Sequence, residues 1–164
     1  MNKRQRTAIL IALTAISLTL VSASAAAVAI KEGRGAGRAR LGQLDTKAAG
    51  YLGRHGASQR DPNYGSRIVY WINFGKKTNG RYPCEMASNA AHRVFQFSFN
   101  SSAYVTSKGV RVGSKEEALT ARYGQMKRIH TTKFNHYVLG KRPFTDFWVL
   151  NKTGRVFQIV VRSK

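Results

Sequence analysis

The chain has 164 residues, of which 43% are hydrophobic, so it can form one domain with its own core. It carries 28 Lys and Arg against 7 Asp and Glu, a formal net charge of +21. A field of that sign attracts polyanions such as nucleic acid, anionic lipid or acidic wall polymer. The single cysteine, Cys84, excludes an internal disulfide framework and a cysteine-rich zinc site.

The first 30 residues have the pattern of an export signal. Three cations, Lys3, Arg4 and Arg6, precede an uncharged, mostly apolar run over residues 7–30. The small-residue triplets Ala-Ser-Ala at 23–25 and Ala-Val-Ala at 27–29 are typical of signal peptidase sites. The sequence therefore predicts a signal peptide over 1–29 and a secreted or envelope location. If it is not cut, the run is long enough to anchor the protein in a membrane.

Residues 30–65 predict a basic linker, because glycine and arginine recur there and few residues are large and apolar. A short helix is predicted over 41–52. Two interpretations of the segment stay open. It is either a solvated tether or a segment that binds a polyanion electrostatically, with an affinity that depends on salt concentration. The residues predicted to bind the polyanion are Arg34, Arg38, Arg40, Arg54 and Arg60.

Residues 66–164 predict a small α+β domain with one or two short helices packed on an antiparallel sheet. Runs rich in β-branched and aromatic residues predict strands at 67–74, 93–99, 134–139, 147–150 and 155–161, and a further strand at 125–130. In 93–99, strict alternation places Val94 with Gln96 and Ser98, opposite the phenylalanines. A short helix is predicted over 84–92. Asn79-Gly80 and the run 151–154 predict turns.

The stretch "SKGVRVGSKEEALTARYG" at 107–124 predicts a capped helix. Ser114 and Glu117 have the spacing of a capping box, in which each side chain bonds the other residue's amide. Gly124 is placed to end the helix. This account explains the segment as a corner of the fold without a ligand.

The run Gly109-Val-Arg-Val-Gly-Ser, followed by Glu117-Ala-Leu and Tyr123-Gly124, resembles a phrase found in small exported bacterial domains. Outer-membrane assembly lipoproteins of the SmpA/OmlA type and β-lactamase-inhibitor-like domains are similar over residues 108–164. The resemblance implies a non-enzymatic module that binds protein or envelope. The chain departs from these families because it lacks the lipidated cysteine of the first and the cysteines of the second.

No motif for catalysis, metal or a cofactor is present in the sequence, so none of these is predicted. The four histidines do not have metal-ligand spacing. One enzyme class, a secreted ribonuclease or toxin, needs only a general acid, a general base and cations around the phosphate. Its candidate residues are Glu85, His92, His130 and His136. The six-residue spacing of His130 and His136 allows both to share a sheet face, but the favoured interpretation is an ordinary surface or half-buried histidine.

The favoured interpretation is an exported, non-catalytic basic protein that binds an anionic envelope polymer, anionic lipid or a protein partner. It meets the membrane during export or through an anchor. The secreted ribonuclease is the first alternative, and a nucleic-acid-binding module is the second.

Overall fold

The structure is a computed structural model that describes residues 27–53, 55–64 and 67–163. The predicted signal helix, up to residue 26, lies outside the described residues, and so does Arg54. The predicted α+β class is confirmed, because the chain forms mostly antiparallel strands and two short helices. No described helix has the length and apolar character needed to cross a membrane.

Eight strands form one large antiparallel sheet in the order β4-β5-β6-β7-β12-β11-β10-β9. In chain order these strands are β4 (His55–Tyr64), β5 (Arg67–Phe74), β6 (Cys84–Ser88), β7 (Val94–Phe99), β9 (Lys127–His130), β10 (Phe134–Leu139), β11 (Phe144–Leu150) and β12 (Arg155–Arg162). A small sheet has the order β3-β2-β1-β8. Its strands are β1 (Val28–Lys31), β2 (Gly35–Ala36), β3 (Ala39–Arg40) and β8 (Tyr104–Thr106), and β1 runs parallel to β8.

The core lies on one face of the large sheet, which the small sheet and the two helices cover. The helices are α1 (Asp45–Leu52) and α2 (Glu116–Tyr123). The large sheet contributes mainly aromatic and branched side chains, and the covering layer mainly small ones. The buried set includes Phe74, Met86, Phe97, Phe99, Phe147 and Ile159 from the sheet and Ile30, Ala36, Ala39, Ala48 and Leu119 from the layer above it. We call the opposite side of the large sheet the open face.

The predicted linker over 30–65 is corrected, because most of these residues belong to the fold. Residues 30–52 form the end of β1, β2, β3 and α1, and Ile30 is only 1% exposed in the core. Residues 55–64 form β4, an edge strand of the large sheet that pairs with β5. The predicted signal segment 1–29 also overlaps β1, since Val28 and Ala29 pair with β8. This part of the core was not predicted because its buried residues are mostly alanine and glycine. Such small residues do not form the periodic pattern of large apolar side chains that marks a strand or a helix.

The helix predicted over 84–92 is wrong, because residues 84–88 form the strand β6 between β5 and β7. Ala, Met and Glu have high helix propensities, but propensity is a small energy that tertiary pairing overrides. The strict alternation predicted for 93–99 also fails. A bulge leaves Phe95 without a partner residue on β6, so Ser88 pairs with Val94, and Val94 is buried in the core with Phe97.

The predicted capping box at Ser114 and Glu117 is not formed. The helix begins one residue later, with Lys115 as the N-cap and no side-chain cap bond. The Ser114 hydroxyl instead accepts the Arg111 amide at 3.1 Å. Residues 113–116 pair with the start of β12, since the Ser114 carbonyl accepts the Val156 amide. This pairing holds the backbone extended where the cap was expected. The predicted stop at Gly124 is observed.

Candidate functional site

A row of rings crosses β12, β11 and β10 on the open face. His136 and Trp148 are opposite each other on β10 and β11, and their rings stack in parallel with centroids 4.1 Å apart. Phe134 packs edge-on against Trp148, with the two ring centroids 4.7 Å apart. Phe157, the residue of the β12 bulge, extends the row, and the Arg81 guanidinium lies 5.0 Å from its ring centroid. These rings are half-buried, so the row forms an aromatic surface that is partly exposed to solvent.

Asp146 lies beside this row and is only 1% exposed. His136 Nε2 lies 3.0 Å from one carboxylate oxygen, and the Arg162 guanidinium donates to both oxygens. Burial by itself raises the pKa of Asp146, but the hydrogen bonds and charges of His136 and Arg162 hold that pKa below its ordinary value. Because both oxygens are engaged, the carboxylate orients His136 and Arg162 and is poorly placed to abstract a proton from a substrate.

A second buried carboxylate, Asp45, lies at the start of α1 on the covered side. Its Oδ2 accepts the Ser88 hydroxyl at 2.7 Å and contacts His92 Nδ1 at 2.8 Å. Burial raises the pKa of Asp45, and the bonds from Ser88, His92 and the Thr46 amide more than offset that rise, so the pKa is lowered. Aspartate, histidine and serine meet here, but the hydroxyl donates to the carboxylate and not to the imidazole. The group therefore lacks the hydrogen-bond order of a catalytic triad, in which serine bonds histidine and histidine bonds aspartate. Its bonds connect α1 to the end of β6 and the β6–β7 turn.

The four residues of the ribonuclease alternative do not converge. His136 is on the open face, whereas His130 pairs with Asn135 and bonds it at 2.7 Å on the covered face. These two histidines therefore do not share a face. Glu85 is on the open face of β6, which three other strands separate from the strand of His136, and it bonds Asn100. His92 is in the β6–β7 turn. Among the described residues, no cluster of His, Cys, Asp or Glu could hold a metal ion.

The predicted polyanion-binding arginines are in three different settings. Arg34 and Arg38 are exposed in the turns of the small sheet, and Arg60 is exposed on the edge strand β4. Arg40 is half-buried and its Nη1 donates to the Gly37 and Ala39 carbonyls at 2.6 and 3.0 Å. Its guanidinium stabilises the turn and is less available to a ligand.

Exposed charge on the described surface is almost entirely positive. All but two of the Lys and Arg side chains that the structure describes are exposed, the exceptions being Arg40 and Arg162. All seven carboxylates are described, and Glu117 alone among them is exposed. Most of the others are bound inside the fold, such as Glu32 to Ser107 and Tyr123, and Glu116 to Asn135 and Tyr137. The surface is thus more basic than composition alone indicates.

Two groups of cations are brought together by the fold. The turn between β1 and β2 packs on the β10–β11 turn, where Gly33 approaches Pro143 so closely that a Cβ would lie 3.2 Å from its carbonyl oxygen. This contact gathers four exposed cations, which we call the turn patch. Its residues are Lys31, Arg34, Lys141 and Arg142.

The second group, the α2 cluster, surrounds the loop before α2. Lys108 Nζ donates to the Arg122 carbonyl at 2.8 Å, and Arg122 Nη1 donates to the Lys108 carbonyl at 3.0 Å. Arg155 Nη1 donates to the Gly113 carbonyl at 2.7 Å. The backbones of Lys115 and Arg155 form an isolated antiparallel β-bridge. Sequence reasoning missed both groups, because their members are distant in the chain and no local motif marks them.

No family model and no curated protein matches the chain. Among solved structures, it is similar to the uncharacterized protein yfeY from Escherichia coli, with 15% sequence identity and a TM-score of 0.51. The similarity covers 81% of this chain and 98% of that chain, a larger share than residues 66–164 could supply. It concerns the fold alone, and it agrees with a fold that includes part of the segment predicted to be a linker. The resemblance of 108–164 to SmpA/OmlA-type and inhibitor-like domains stays a prediction.

Proposed function

We propose that this is an exported, non-catalytic basic protein that binds an anionic envelope polymer or anionic membrane surface. The observation that carries the proposal is the distribution of surface charge. Nearly every described cation is exposed, and Glu117 is the one exposed carboxylate. Surface cations without acidic neighbours keep their field in the solvent, where it attracts polyanions and speeds their encounter with the protein.

Export is proposed from the sequence of residues 1–30. Removal of this segment as far as Ala25 takes away Lys3, Arg4 and Arg6 and no acid, which leaves 25 Lys and Arg against 7 acids, or +18. The exported protein would therefore retain its positive charge. Outside the cytoplasm it would meet wall polymers and lipid headgroups before nucleic acid, which favours the first two as partners.

A non-catalytic role is supported by the positions of the titratable groups. The residues considered for a ribonuclease lie on two faces of the sheet and in a turn. The two buried carboxylates are saturated by hydrogen bonds, as described above. A binding role needs no convergent acid and base, whereas phosphodiester cleavage does.

The proposal is tested by titrating the protein, as recovered from cells that express the full chain, with heparin, RNA, anionic vesicles and neutral vesicles. We expect the three anionic probes to bind and neutral vesicles to bind far more weakly. Affinity should fall steeply between about 50 and 200 mM salt, because binding through many Lys and Arg contacts releases condensed counterions.

Failure of all anionic probes, or binding that does not depend on salt, would contradict the proposal. Labelled RNA incubated with the protein should stay intact. Cleavage that is lost on His136→Ala or His92→Ala would support the ribonuclease alternative instead. Binding to RNA alone would favour the nucleic-acid-binding alternative.

A further inference from the structure

A cavity of about 580 Å³ lies at the end of the large sheet where β6 stops. The last paired residue of β6 is Ser88, opposite Tyr70, so Ile68 and Val69 of β5 extend beyond it. On the other side β7 begins with the bulge at Phe95. The gap between these two strands forms the cavity, which we call the notch.

The walls of the notch are mainly apolar. Among the residues that line it, Val69 and Val94 are each 2% exposed, and Ile68 and Phe95 are half-buried. Its volume is within the range of about 300–1,000 Å³ that small-molecule sites occupy. An apolar chain or ring that entered the notch would remove the exposed parts of Ile68 and Phe95, and itself, from water.

The polar groups of the notch include two arginines and, among the described residues, no carboxylate. Arg162 is already bound to Asp146, which offsets its charge. Arg93 is exposed, and its Nη1 donates to the Gly42 carbonyl at 3.3 Å. Its backbone is held in a tight turn, because the Arg93 amide donates to Asn89 Oδ1 and the Asn89 amide donates to the Arg93 carbonyl, both at 3.0 Å.

We propose that the notch binds an amphipathic ligand with one acid group and an apolar tail, of which a medium-chain fatty acid is the simplest form. The tail would lie along Ile68, Val69 and Phe95, and the acid group would pair with Arg93. Charge complementarity favours an anion, since the site presents an unneutralised guanidinium beside apolar walls. This inference is independent of polyanion binding, because it needs one cation and a cavity and not a dispersed field.

The test is calorimetric titration of the protein, recovered after expression of the full chain, with decanoate, decanol, decyl phosphate and acetate. Decanoate should saturate one site per chain. Decanol should bind about tenfold more weakly, because it lacks a charge-assisted hydrogen bond to Arg93. Acetate, without a tail, should not saturate. Decyl phosphate distinguishes a carboxylate ligand from a phosphate ligand.

Two substitutions locate the site. Arg93→Gln should weaken decanoate about tenfold and leave decanol unchanged, whereas Ile68→Gln should weaken both ligands. The matched control is Arg155→Gln, because Arg155 is also an exposed arginine whose guanidinium donates to a backbone carbonyl. Arg93→Gln should leave heparin binding nearly unchanged. No saturable decanoate binding, or equal losses in Arg93→Gln and Arg155→Gln, would overturn the proposal.

Discussion

Gly35 lies where β2 meets both β3 and the large sheet. Its φ is +147°, and a Cβ would lie 2.2 Å from the Ala39 carbonyl oxygen and 3.1 Å from the Phe97 ring. The backbone of β3 would therefore have to move. We expect Gly35→Ala to lower the free energy of unfolding by about 2–4 kcal/mol, measured by denaturant titration. In a flexible linker the same change would be neutral.

Gly50 provides the matched control, because it belongs to the same segment predicted to be a linker. It lies in α1 with a helical φ, and a Cβ there would meet nothing within 4 Å. Gly50→Ala should raise the free energy of unfolding by about 0.5–1 kcal/mol. Equal effects of the two substitutions would contradict the placement of residues 28–52 in the fold.

Asp146 links stability to pH. Its pKa in the folded protein is lower than the ordinary 3.8, so its stabilising contribution is complete above that value and is lost as pH falls through the folded pKa. Stability should therefore decline below about pH 4. Asp146→Asn should cost about 3 kcal/mol at pH 7, because Arg162 and His136 lose their carboxylate. It should also make the decline in acid shallower. An unchanged acid slope in this variant would show that other groups control the transition.

At the scale of elements, the sequence predicted strands with dense β-branched and aromatic residues well and other strands poorly, including the ten-residue β4, whose sequence is mostly polar. The runs 67–74 and 134–139 were identifiable because their β-branched and aromatic residues are dense enough to exclude a helix. The two-residue strands β2 and β3 carry only Gly, Ala and Arg, and they exist because neighbouring backbone completes their hydrogen bonds. Such strands have no period to detect.

The candidate sites depend on register and strand ends, which sequence does not reveal. His136 stacks on Trp148 only because β10 and β11 pair with these residues opposite each other. The notch exists because β6 stops at Ser88 while β5 continues, and the composition of "CEMASNAAH" favoured a helix there. The predicted set of five arginines likewise included Arg40, whose structural role follows from turn geometry.

The position of β1 predicts where the proposed export signal would be cut. The Val28 amide donates to the Ala103 carbonyl at 2.9 Å, and the Ala29 carbonyl accepts the Gly37 amide at 2.8 Å. Cleavage after Ala29 would remove these bonds and half of the strand, whereas cleavage after Ala25 leaves it whole. We expect intact-mass analysis of the exported protein to give Ala26 as the first residue.

A chain expressed from Ile30 should accordingly unfold at lower denaturant concentration than one expressed from Ala26. A natural first residue at Ile30, or equal stability of the two chains, would contradict the assignment. An uncut product recovered in the membrane would show that the segment over 7–30 serves as an anchor.

At the scale of the whole molecule, the fold turns a basic composition into an exposed basic surface. Most carboxylates bond groups of the fold: Asp45 and Asp146 in buried clusters, and Glu32 and Glu116 through tyrosine hydroxyls. Glu116 Oε1 also lies 3.7 Å from Arg128 Nη2, an ion pair with an exposed cation. Burial and the bond to Glu116 raise the pKa of Tyr137 to about 12, so this phenol stays a donor at physiological pH. The acids thus stabilise the fold, while the cations remain available to ligands.

Substitutions in the turn patch can test whether polyanion affinity depends on the total charge of the protein or on the positions of its charges. Its four cations come from two turns in contact, and charges that lie within a Debye length of about 8 Å act together on a polyanion. Replacing Lys31, Arg34, Lys141 and Arg142 with Gln should weaken heparin binding and flatten its salt dependence.

The matched control replaces four exposed cations on separate elements and so removes the same charge. These cations are Lys47, Arg60, Lys76 and Lys152. We expect the larger loss from the turn patch, with both variants keeping the melting temperature of the parent within a few degrees, because the replaced side chains are exposed. Equal losses would mean that affinity follows total charge and that the contact between Gly33 and Pro143 builds no preferred site.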